Sequence, residues 1–141
     1  MKDDTRVRRK VLQAKLDSGD DVDLFMAGAC CYLALEIHAL TNLPIRFAKL
    51  SEDDKIAHAW CALPGNEIGI DANGKRPDIE IRRRRVWGHT QTISMKDLEK
   101  ELEQLDDEKL SIQLRERARA FIQNHLRDDL DLEVLKETRY Q

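Results

Sequence analysis

The chain has 141 residues, 41% of them hydrophobic and 36% charged, with a formal net charge of -3. That length suits one ordinary domain with a real core, and the composition argues against general disorder. The small negative charge removes any global electrostatic pull toward nucleic acid or an anionic membrane, and no run approaches the ~20 apolar residues that span a bilayer.

The charged stretch Met1 to Lys10 leads into no apolar segment, so a secretory signal is not expected. Three cysteines, two of them adjacent, cannot build a disulfide framework, which points to a reduced, cytoplasmic setting.

In chain order, Val7, Val11, Leu12 and Leu16 recur at helical spacing, and Asp17-Ser18-Gly19-Asp20 closes that helix. Val22 to Leu43 is the most apolar stretch. Gly28 punctuates it, and a helix is predicted from about Ala29 to Leu40, stopped by Thr41-Asn42 and Pro44. Ile45, Phe47, Ala57 to Leu63 and Glu67 to Ala72 are short runs divided by turn residues, as strands are. Ile79 to Trp87 reads as a further strand containing Arg82, Arg83, Arg84 and Arg85.

Helical stripes then return. Met95, Leu98, Leu102 and Leu105 form one; Leu110, Leu114, Ala118, Phe121 and Ile122 form a second; Leu130, Leu132, Val134 and Leu135 suggest a short last helix. The expected fold class is α+β. N-terminal helices pack on a small antiparallel sheet within residues 1–92, and a helical C-terminal extension, residues 93–141, packs on that core as one compact domain.

On a helical wheel of about 100° per residue, Cys30, Leu33, Ala34, Ile37 and Leu40 share the face turned to the sheet, with Glu36 and Tyr32 nearly opposite. Cys30 therefore falls in the first turn, where free N–H groups and the helix dipole favour a thiolate. Leu63-Pro64-Gly65-Asn66 fits a type II turn. If Leu63 pairs with Asn66, His58 stands directly opposite Asp71, within reach of an imidazole–carboxylate hydrogen bond. A four-residue loop would instead set Trp60 opposite Asp71, with His58 diagonal to it on the same face.

Gly28-Ala29-Cys30, Ala34, Leu43-Pro44-Ile45-Arg46, His58-Ala59-Trp60 and Asp71-Ala72-Asn73-Gly74 span about one third of the chain. In order and spacing they resemble the transglutaminase-like core of the papain-like cysteine hydrolase superfamily. The resemblance implies a papain/transglutaminase-like fold, with Cys30 as nucleophile, His58 as general base and acid, and Asp71 as the carboxylate that orients the imidazole. The backbone N–H of Cys30 would be one oxyanion donor. The implied activity is that of a small cysteine hydrolase or acyltransferase on amide bonds of a protein or peptide substrate: a protease, deamidase or transglutaminase, with no cofactor and no metal. The alternative is a catalytically inert binding module on the same fold, acting through protein–protein contacts.

Other residues are weighed against simpler roles. A zinc site on Cys30, Cys31, His58 and Cys61 is disfavoured: no C-x2-C spacing exists, and His58 and Cys61 point to opposite faces of one strand. Cys31 and Cys61 are read as packing residues. His38 lies about 12 Å of helix rise beyond Cys30, too far to activate it, and His89 and His125 are read as surface residues. Trp60 shares a face with His58 and is expected either to wall the substrate site or to sit in the core. Arg82, Arg83, Arg84 and Arg85 are read first as a charged edge strand, and second as a surface for an acidic partner.

Overall fold

The computed structural model describes residues 2–49, 56–83 and 90–130. The elements follow in the order α1 (Lys2–Ser18), α2 (Asp21–Met26), α3 (Cys30–Thr41), β1 (Ile45–Lys49), β2 (Ile56–Ala62), β3 (Ile68–Asp71) and β4 (Gly74–Pro77). Then come α4 (Asp78–Arg83), β5 (Thr90–Ile93), α5 (Met95–Leu105), α6 (Glu108–His125) and α7 (Arg127–Leu130). This is an α+β chain with an open five-stranded antiparallel sheet ordered β4-β3-β2-β1-β5. Among the described residues, no helix is long and apolar enough to cross a membrane.

The centre of the molecule is α3. Every residue from Cys30 to Ile37 is buried, as expected of a helix that is apolar nearly all round. One side lies on β2, where the Cys61 thiol reaches the Ala34 carbonyl at 3.3 Å. The other side faces α5 and α6, and its two polar residues are satisfied there. Tyr32 donates to Asp106 at 2.6 Å, and Glu36 accepts from Arg115 at 2.7 Å and Arg119 at 2.9 Å. The helix ends at Asn42, whose left-handed backbone (φ 62) lets its N–H close on the His38 carbonyl.

Around α3 a continuous core runs from Leu12 and Leu16 of α1 through Leu24 and Phe25 to Leu98, Leu114, Phe121 and Leu130. In α1 the expected stripe is only half used: Leu12 and Leu16 are buried, whereas Val7 and Val11 are exposed. Asp106, at the end of α5, accepts two hydrogen bonds from Arg8, both 2.9 Å, and so ties α1 to the C-terminal helices. The C-terminal helices thus share the core with the sheet-bearing half.

The β2–β3 hairpin takes the four-residue loop. Cys61 pairs with Ile70 and Ala62 with Gly69, and the Leu63 N–H donates to Ile68. The Leu63–Asn66 turn does form, with Asn66 N–H on the Leu63 carbonyl and Gly65 at φ 93, but it lies at the tip of the loop. Direct opposition of His58 and Asp71 is thereby corrected: a type II turn does not match strand twist, so two more residues complete the connection.

A second correction concerns residues 79–87. Asp78 to Arg83 is a short helix, not a strand. Pro77 ends β4, Asp78 and Glu80 occupy the first turn of the helix, and Ile81 is buried against Trp60 and Ala48 on the sheet face away from α3. The strand in this region is β5, which pairs with β1 through Thr90, Gln91, Thr92 and Ile93. Arg84, Arg85 and His89 lie outside the described residues, as do Leu132, Val134 and Leu135 of the expected last helix.

Candidate active site

Three elements bring the predicted residues together. His58 on β2 donates from Nε2 to Oδ2 of Asp71 on β3 at 3.1 Å, across the diagonal that the register leaves between them. Asp71 also organises the turn that follows it. Its Oδ1 accepts the Asn73 N–H at 2.9 Å, and Gly74 takes φ 89, the left-handed position that closes a tight turn into β4. The sequence Asp71-Ala72-Asn73-Gly74 is thus one hydrogen-bonded unit that fixes the carboxylate.

A third donor completes it. Arg76 on β4 places Nη2 2.6 Å from Oδ2 of Asp71. Burial would raise the Asp71 pKa, but hydrogen bonds from His58, Arg76 and Asn73 outweigh it and hold the carboxyl below its usual range.

Cys30 is the first residue of α3. Gly28 precedes it at φ +119, and a Cβ there would come within 2.9 Å of Leu12 Cδ2, so the approach to the helix requires glycine. Ala29 caps the helix with no side-chain hydrogen bond, and its carbonyl receives the Tyr32 and Leu33 N–H groups.

The Cys31 thiol, as a hydrogen-bond donor, is the largest influence lowering the Cys30 pKa. Burial opposes it, and His58 and the Ala59 N–H add to the lowering. The net direction is well below the ordinary thiol value. Cys31 moves the opposite way, raised first by Cys30 and then by burial. Of this adjacent pair Cys30 is the one favoured to ionise, because it alone has His58 and the Ala59 N–H as further stabilisers.

Burial disfavours the imidazolium, yet Asp71 and Cys30 raise the His58 pKa to about 9. Both shifts run in the direction that favours a thiolate beside an imidazolium. With Nε2 committed to Asp71, the other nitrogen, Nδ1, is buried and has no hydrogen-bond partner among the described residues. Nδ1 is the nitrogen left for the thiolate and for an incoming group, in the looser geometry that sites without substrate adopt.

The three groups are deeply placed: Cys30 is 5% exposed, and His58 and Asp71 are each 2% exposed. Cys30, with Cys31, reaches a cavity of about 280 Å³ between α5 and the start of β2; His58 and Asp71 do not line it.

Of the two places expected for Trp60, the structure gives the core. The residue is fully buried, stacks on the His58 ring at 5.7 Å between centroids, and donates from Nε1 to Asp78 at 2.8 Å. Cys61 is buried, and burial raises its pKa, as for a packing thiol. His38 meets the Leu43 carbonyl at 2.7 Å, and His125 lies against Phe121. Among the described residues, no group of His, Cys, Asp and Glu could hold a metal ion.

Sequence reasoning missed Arg76 and Asp78. Arg76 had a signal: two residues beyond Gly74, the register partner of Asp71, it occupies a diagonal cross-strand position. Comparison with protein-family models, with curated proteins and with solved structures gives no match.

Proposed function

We propose that the protein is a small cysteine hydrolase or acyltransferase acting on amide bonds of a protein or peptide, with a papain/transglutaminase-like core. The observation that carries this reading is the His58–Asp71 hydrogen bond of 3.1 Å, with Cys30 at the start of α3, where its surroundings lower the thiol pKa. The Cys30 sulfur attacks the amide carbonyl carbon, and the negative charge on oxygen is met by the free N–H of the first helical turn. His58 gives its Nδ1 proton to the leaving amine, and a thioester remains on Cys30. Water or a second amine, losing a proton to neutral His58, then attacks the thioester and expels the thiolate. Asp71 keeps its charge throughout and orients the ring through Nε2.

The test is labelling at about pH 6 with iodoacetamide, mapped by mass spectrometry. Cys30 is expected to react faster than Cys31 and Cys61, because only a depressed thiol is ionised there. Equally slow labelling of all three would favour the second reading, an inert binding module, which the burial of His58 and Asp71 to 2% exposure supports.

A further inference from the structure

The chemistry above leaves the cavity beside Cys30 unused. Among the described residues, one wall is a single face of α5, with Leu98, Leu102 and Leu105 in successive turns. Ile56 and Ala57, at the start of β2, form the other wall, and Cys30 with Cys31 joins the two. Its volume, about 280 Å³, is at the small end of ligand pockets, so it takes one side chain and not an extended ligand.

The charges around it are arranged against a charged guest. Arg8 is spent on Asp106 through two hydrogen bonds of 2.9 Å. Lys49 and Glu101 remain, opposite in sign, and Glu101 is exposed. These two charges cancel, so the cavity offers no net field to a charged side chain, which would lose its water on entering between the leucines.

Resting on the cysteine-hydrolase reading, we infer that this cavity receives the acyl-side residue of the substrate, and that this residue is uncharged and aliphatic or aromatic. Helix α5 is then a specificity element, and Leu105, partly buried where Leu98 and Leu102 are closed over, is the most accessible of its three leucines.

The experiment uses the full chain and three alkylating probes: iodoacetamide, the chloromethyl ketone of N-acetyl-leucine and that of N-acetyl-aspartate. In each, the Cys30 sulfur forms a bond to carbon and a halide leaves. Rates are normalised to those of a free thiol. The leucine reagent is expected to exceed the aspartate reagent by roughly tenfold or more, the scale on which apolar pockets discriminate. In Leu105→Glu, the ratio of the leucine rate to the iodoacetamide rate should fall by a similar factor; if that variant does not fold, the wild-type pair of reagents decides. Equal normalised rates, or a faster aspartate reagent, with Cys30 still selectively alkylated by iodoacetamide, would overturn the pocket and leave the cysteine reading standing. Failure of iodoacetamide to select Cys30 would remove both.

Discussion

His58 joins the two ionisations on which the chemistry depends, and its environment sets the sign of both. With its folded pKa raised from 6.5 to about 9, the ring contributes stability that is fully present below pH 6.5 and is lost as pH rises through 9. In the proposed mechanism the same proton is the one given to the leaving amine. Turnover of an amide is therefore expected to decline above about pH 9, while alkylation of Cys30 persists, because the thiolate remains. Following the ring protons of His58 by NMR between pH 5 and 10 checks this; titration near 6.5 would oppose it. Asp71 has the opposite sign. Its depressed pKa contributes stability above the ordinary carboxylate range that is lost as pH falls through the folded value. Arg76→Gln removes one of its donors, and should cost roughly 3 kcal/mol and move acid unfolding to higher pH, measured by urea titration across pH. Cys30, His58 and Asp71 were readable from sequence because each stands in a short motif with its own local geometry. Arg76 carried a weaker signal, since its role depends on where β4 lies beside β3.

Among the elements, readability follows how local each one's causes are. The helix at Cys30 and the hairpin at Pro64-Gly65 announce themselves through a positive-φ glycine, and Asn42 and Pro44 mark where the helix stops. Register was harder. The same tetrapeptide serves as a hairpin loop or as its tip, and only strand twist, a property of the paired sheet, selects the second. Residues 78–83 look strand-like because Ile79 and Ile81 alternate, yet burying Ile81 under Trp60 while Ile79 stays 51% exposed suits one turn of helix equally well. The approach to α3 is the most demanding local conformation here. Gly28→Ala should lower stability by about 1–3 kcal/mol through φ +119 and the close approach to Leu12. Because the change displaces the start of α3, Cys30 alkylation should slow in parallel. An unchanged urea midpoint would show that the loop relaxes freely.

For the whole molecule, one buried cluster unites helices from both ends of the sequence, so the sheet and the C-terminal helices should unfold together. Phe121, which packs on Phe25 with ring centroids 5.5 Å apart, tests that coupling. Phe121→Ala should cost about 3–5 kcal/mol, with helical and tryptophan signals lost in a single transition. Two separate transitions would mean that the halves are independent.

The strand order carries a consequence for how the molecule is made. β1 to β4 follow one another as neighbours, whereas β5 returns across the chain to pair Thr90 with Ala48 and Ile93 with Ile45. Contacts so distant in sequence close late, after the local hairpins have lowered their entropy cost. In pulsed hydrogen exchange during refolding, the amides of β2 and β3 should gain protection before those of β5. The leucine wall of the cavity lies on α5, just beyond that last strand. Cys30, His58 and Asp71 all precede that wall in the chain, so under the proposed reading the residues of reactivity leave the ribosome first and those of selectivity follow with α5.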